Sequence, residues 1–249
     1  MKEKNRTKVN GLPALVFWML VWQCAAVAMG NPLLLPTPVQ VLLRLAALMG
    51  EAAFWQITLA SIGRVLLGVV LGIALGAVLA VITEVSTLAN MLVAPAMTAV
   101  QATPVASFAI LVLIWLERDL VPVLICILMV LPVIWNSVST GIRMTDVQLL
   151  EMAKVYRLPR LRRIRRIYLP SVLPYFRAAS TSALGLGWKA GIAAEVLTVP
   201  KASMGRMISE AKLYLMTEDL FAWTAMVVVL SLLLQKIMLR LLEGRKGRA

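Results

Sequence analysis

The chain has 249 residues, of which 61% are hydrophobic and 15% charged, and 25 Lys and Arg against 12 Asp and Glu give it a net charge of +13. A soluble domain carries about 25% charged residues, and the apolar residues here fall in long runs instead of alternating with polar ones, so composition points to a bilayer. No histidine is present, which removes Ser-His-Asp and Cys-His nucleophiles and imidazole metal sites.

No G-x-x-x-x-G-K-[ST] loop occurs either, so ATP-driven work would need the nucleotide on another chain. The basic residues cluster in short stretches between apolar runs, which argues against nucleic-acid binding. Cys24 and Cys126 both lie in apolar runs. They read as small buried or lipid-facing side chains, not as a disulfide.

A spanning helix needs about 20 mostly apolar residues. Val9 to Leu43 is uncharged, and residues 12–29 form the first predicted span, ended by Asn31-Pro32. Its basic start and small residues around Ala25 to Ala28 also fit a signal peptide. The length of the run and the apolar spans after it favour a retained anchor. Pro36, Pro38, Arg44 and Glu51 break the next stretch, which is expected to hold an interfacial helix on the outer side. Residues 65–82 form the second span. Gly68, Gly72 and Gly76 repeat every four residues along one face, where a neighbouring helix approaches closely. Packing within the chain is the first reading of that face and a dimer seam the second.

Val85 to Leu116 is uncharged for 32 residues but contains Pro95 and Pro104. A third span over 88–102 is expected to continue through a kink or re-entrant bend toward Trp115. Glu117, Arg118 and Asp119 mark an aqueous boundary. The fourth span covers 120–142 with a kink near Pro132, the fifth 173–197 and the sixth 221–242. Basic residues set the orientation. Four precede the first span (Lys2, Lys4, Arg6, Lys8), nine fall from Arg143 to Arg177, and five close the chain from Lys236 to Arg248. With six spans all three groups share one side, which places both termini in the cytoplasm.

The segment between the fourth and fifth spans is the most informative. Thr145 and Gln148 fit a capping box that starts a short helix. Gln148, Glu151 and Lys154 form a narrow polar stripe, while Val147, Leu150, Met152, Ala153 and Tyr156 leave much of the remaining surface apolar. Pro159 is expected to stop this helix near Arg157. A second amphipathic helix carries Leu161, Ile164 and Tyr168 among Arg160, Arg162, Arg163, Arg165 and Arg166, a pattern suited to a membrane surface. Leu169-Pro170 is then expected to turn the chain into the fifth span. A positive-inside stop explains these arginines but not the apolar short helix ahead of them, which needs something to pack against.

Here the sequence resembles a family. Glu151-Met152-Ala153, then Arg157, then Ile167-Tyr168-Leu169-Pro170 falls on the spacing E-A-A-x3-G-x9-I-x-L-P, the cytoplasmic signature of permease subunits of binding-protein-dependent ABC importers. Met152 replaces alanine and Arg157 replaces the glycine that allows a left-handed turn. Arg157 must therefore accept that geometry at a cost of about 1 kcal/mol or turn differently. The resemblance runs from about Leu35 to Leu242. Leu35-Pro36-Thr37-Pro38 and Trp188-Lys189-Ala190-Gly191-Ile192-Ala193-Ala194-Glu195 resemble the nitrate, sulfonate and taurine branch.

The resemblance implies a type I importer permease fold in the cytoplasmic (inner) membrane, multi-pass and all-α, with no cofactor and no metal. It divides the chain into an N-terminal tail, first helix and outer segment (1–54), a transmembrane domain (55–242) with a coupling loop at 143–171, and a basic tail (243–249). It implies a separate ABC ATPase subunit, an extracytoplasmic binding protein and a second permease copy. Glu151, Met152, Ala153, Lys154, Arg157, Ile167, Leu169 and Pro170 become the ATPase-coupling residues.

Lys189 and Glu195 interrupt the fifth span, and intramembrane charges commonly face a cavity or the bundle interior. At six residues apart they sit about 120° from alignment, so they pair poorly with each other. Either lines a path for an anionic substrate, or each is paired to another helix or hydrated near the surface; Glu195, near the outer end, fits the second reading better. The expected function is transport of a small solute, an organic or inorganic anion such as a sulfonate, taurine or nitrate. A permease for a cofactor precursor, a stand-alone secondary transporter and a membrane-embedded lipid enzyme are the alternatives. The missing histidine and the lack of paired acidic motifs in the spans count against the enzyme.

Overall fold

The structure, a computed structural model, describes residues 11–243, which are almost entirely helical. The expectations resting on the basic clusters at 2–8 and 245–248 lie outside the described residues. Two compact units form. One comprises the chain up to Trp55 with Met207–Met226, and the other Gln56–Arg206 with the chain from Val227.

In the first unit, α1 (Gly11–Met29) ends at Gly30, whose φ of +60° suits a residue without Cβ. Asn31 follows and accepts the Leu33 amide on its own side chain at 3.0 Å. The amphipathic helix α2 (Pro38–Met49) starts at a reciprocal cap: the Gln40 amide donates to Thr37 Oγ1, and Gln40 Oε1 accepts from the Thr37 amide at 2.8 Å. Pro38 occupies the first helical turn, where its missing N–H costs nothing. Arg44 of α2 donates from Nη2 to Asp219 at 3.2 Å and also pairs through Nε. That hydrogen bond raises the guanidinium pKa above its ordinary value. Phe54 and Trp223 stack with centroids 4.7 Å apart, and Trp22 and Phe221 at 5.6 Å.

The second unit is built on α3 (Ala52–Val85), α4 (Thr87–Ala102), α5 (Val105–Val112), α6 (Val121–Arg143) and α9 (Leu169–Thr198). The α4–α5 pair bends by 103° at its break. Pro104 disfavours helical backbone at Thr103, which is extended with ψ 125°; this is the predicted re-entrant break. By contrast α6 passes through Pro132 as one helix. Buried Ala109, Val112, Val121, Ile125, Ala190 and Ala194 join α5, α6 and α9 in one core. The chain closes with α10 (Met204–Leu213) and α11 (Thr217–Glu243).

Among the described residues, α3, α6 and α11 are long and apolar enough to cross a membrane, and the bent α4–α5 pair counts as a fourth if taken as one span. The shorter α1 is apolar, and α9 has 30 residues but carries Arg177, Lys189 and Glu195. Along α3, Arg64 and Glu84 are twenty residues apart with no charge between them, about 30 Å of helix and one hydrocarbon thickness. These two residues bound an apolar stretch of the second unit that is long enough to cross a bilayer.

The three glycines of α3 face α6. A Cβ on Gly68 would stand 2.6 Å from the Val123 carbonyl, one on Gly72 2.8 Å from Val130 Cβ, and one on Gly76 2.7 Å from the Leu131 carbonyl. The face serves packing within the chain.

Candidate functional site

At the Glu84 end of the second unit, α6 leads into the short helix α7 (Val147–Val155). Asp146 caps it, its carboxylate accepting the Gln148 amide at 2.8 Å. The predicted capping box at Thr145 is therefore corrected. The Thr145 hydroxyl is buried and donates back to the Gly141 carbonyl at 3.3 Å, so it closes the end of α6.

The C-terminus of α7 explains Arg157. The Leu158 amide reaches the Ala153 carbonyl at 2.9 Å and the Arg157 amide the Lys154 carbonyl at 3.0 Å. This nested pair of bonds needs the residue after the cap in the left-handed region, and Arg157 takes φ +49°. Arginine has accepted the conformation that a glycine adopts freely. Ala153 is buried, whereas Glu151, Met152 and Lys154 are exposed, as are Val147, Val155 and Tyr156. The helix thus offers apolar side chains and a Gln148–Glu151–Lys154 polar stripe to its surroundings.

After Pro159, α8 (Arg160–Arg163) and a π turn at Ile164–Tyr168 run straight into α9. The expected turn at Leu169-Pro170 is absent. Pro170 lacks an N–H and its ring crowds the preceding turn. The wider π register, with the Leu169 amide bonded to the Ile164 carbonyl, lets the helix continue through it. Ile167 is buried under this turn, while Leu169 and Pro170 are exposed.

The other end of the unit holds Glu195, fully buried. It forms an ion pair with Arg64 of α3, accepts the Ser61 hydroxyl at 2.8 Å and accepts the Gly205 amide at 3.3 Å. Arg64 also donates to the carbonyls of Lys201 and Ala202 at 2.7 and 2.6 Å. Ser61 in turn accepts the Met204 amide at 2.9 Å, and Ser203 accepts that of Arg206. The carboxylate therefore sits against the first amides of α10, where negative charge is favoured. The connecting loop is strained: Val199 and Ala202 both have positive φ, +48° and +45°.

Lys189 lies on the same helix but is exposed. It borders an open groove of about 610 Å³ with Ser231 and Gln235 of α11, and no ion-pair partner is found for it among the described residues. Lys189 and Glu195 therefore occupy different environments.

Residues 68–247 match the family described as binding-protein-dependent transport system inner membrane component. The chain belongs to this family. The permease is 24% identical over 230 residues to the taurine transport system permease protein of Escherichia coli, covering 90% of this chain and 83% of the relative. It is 32% identical over 228 residues to the riboflavin transport system permease protein of Chloroflexus aurantiacus, covering 90% and 84%. Over 237 residues it is 27% identical to the putative aliphatic sulfonates transport permease protein of Bacillus subtilis, covering 94% and 84%. It is thus an integral membrane component of an ABC importer, of the type that includes taurine and sulfonate permeases.

Sequence reasoning about the permease did not single out Arg64, Ser61 or Gly205. Arg64 was visible only as the charge that borders an apolar run. Gly205 has no motif around it, yet a Cβ there would collide with the Glu195 side chain and backbone.

Proposed function

We propose that this permease forms the pathway for a small anion and is driven by a separate ATPase subunit that docks on α7. An extracytoplasmic binding protein delivers the solute, and two copies of the chain complete the pathway in the cytoplasmic membrane. Six crossings, counting α1 and α9, leave both termini and α7 in the cytoplasm.

The observation that carries the coupling assignment is α7 itself. Nine residues are too few to hold a helix alone, yet both ends are capped and its apolar side chains stand exposed. A short rigid helix of that kind suits insertion into a partner's groove. Lys189 supports an anionic solute, since a cation beside a low-dielectric path lowers the barrier to negative charge. The riboflavin relative motivates the second reading, a cofactor-like solute.

Glu151→Lys tests the docking assignment. The expected result is inserted permease that no longer co-purifies an ATPase and no longer supports uptake. Normal uptake with this change sinks the assignment.

A further inference from the structure

The Glu84 end of the second unit contains a groove that α7 does not line. It has a volume of about 390 Å³ between the ends of α3 and α6 and the α8–α9 segment. Its apolar wall includes Val81, Ile142 and Val172, and its mouth carries Arg160, Arg163 and Tyr168. Glu84 also borders it but is already matched by Arg143, whose Nε donates to it at 2.8 Å. Arg160 and Arg163 therefore leave the mouth positive. Arg163 Nε is buried without a hydrogen-bond partner, an arrangement that is costly unless an acceptor is supplied.

We infer that this groove is a binding site for one anionic phospholipid, its phosphodiester on Arg160 and Arg163 and an acyl chain along the apolar wall. Depth selects the occupant. Glu84 stands about one hydrocarbon thickness from Arg64, so the groove straddles the level where headgroup meets acyl chain. Val81 lies one turn deeper than Glu84 on α3, and Ile142 precedes Arg143 on α6, so the apolar wall descends into the bilayer while the arginines stay at its surface. A soluble subunit reaches the arginines but not that wall. A basic pocket between spanning helices at the membrane surface is the chemistry that holds acidic lipid headgroups. The site shares no lining residue with α7, the proposed docking helix, although Leu169 of the expected coupling set borders it.

The test titrates the full-length permease, with whatever subunits co-purify, against dioleoylphosphatidylglycerol or dioleoylphosphatidylcholine after detergent delipidation, read by native mass spectrometry. The wild type is expected to retain phosphatidylglycerol preferentially. The double variant Arg160→Gln/Arg163→Gln is expected to lose that preference by about tenfold or more. Arg162→Gln/Arg165→Gln removes the same charge from exposed positions of the same segment and is expected to keep it. Should the groove double variant fail to fold, Val81→Trp narrows the apolar wall from an exposed position with every arginine intact, and the same loss is expected. Equal loss in both double variants, equal retention of the two lipids, or retention unchanged by Val81→Trp overturns the proposal. So does exclusion of the lipid by a second copy or an ATPase subunit seated in the groove. ATPase stoichiometry is read in the same spectra, so a failure of the docking assignment is separable from a failure of the lipid site.

Discussion

Arg157 holds a left-handed turn for which glycine would be the unstrained choice, and the strain is about 1 kcal/mol. Arg157→Gly is therefore expected to preserve uptake and the ATPase complex, while Arg157→Val, β-branched at a positive φ, is expected to lower both. A valine variant as active as the parent would show that the turn is not left-handed in the assembled transporter. Glu195 is the second decisive residue. Removing one partner of a buried pair strands the other, at about 3–5 kcal/mol. Glu195→Leu is thus expected to reduce the folded yield after mild detergent extraction sharply, and Arg64→Met/Glu195→Leu together to cost less than the two single changes added, although the carbonyls of Lys201 and Ala202 still lose Arg64. Additive losses would mean that the two side chains act separately. At this scale the sequence was legible where a residue broke a local rule: an arginine in a glycine position, a carboxylate in an apolar run. The Arg64 partner was not legible, because the pair joins positions 131 apart in sequence, and nothing local to either marks the other.

For whole helices, periodicity was the more informative signal. The repeat of Gly68, Gly72 and Gly76 located a face, and the close approach of α6 to each of them accounts for it. Gly72→Val is expected to disrupt the α3–α6 contact and depress the yield of folded permease. Gly63→Ala, on the same helix but with open space around it, is expected to be neutral or to stabilise by up to about 1 kcal/mol. Equal yields for the two would detach the glycine face from the fold. The break at Thr103-Pro104 was legible because proline acts on its predecessor by sterics alone. Two element-level features were not. Asp146 and Thr145 are adjacent and both able to cap, and only the end of α6 decides between them. Pro170 is a helix breaker by rule, yet a register shift of one residue absorbs it, and a register shift leaves no compositional trace.

On the scale of the molecule, the positive-inside argument rests as much on the basic residues from Arg143 to Arg177 as on those toward the two ends of the chain, while the fold itself fixes which helix ends share a level in the second unit. Reporter fusions are expected to read cytoplasm after Arg143 and after Arg248, and outside within 202–219; an opposite report at the C-terminus would sink the six-span arrangement. The solute's charge is the remaining whole-molecule property, and in the proposed pathway it is read at Lys189. Unlike Glu195, which spends its charge on Arg64 and the α10 amides, Lys189 faces an open groove with Ser231 and Gln235 and no ion-pair partner among the described residues. On the proposed six-span arrangement a cation retained there without a partner would cost several kcal/mol unless hydrated or used, and a passing anion would use it. Lys189→Met is accordingly expected to lower uptake while ATPase co-purification is kept, because α7 and Lys189 lie far apart along α9 and its preceding turn. Lys189→Arg, which keeps the charge but not the shape, is expected to fall between. Loss of folded complex in the methionine variant would instead assign Lys189 a structural pairing in the assembled dimer. Full uptake by the methionine variant would take the lysine out of the pathway and leave the solute's charge open.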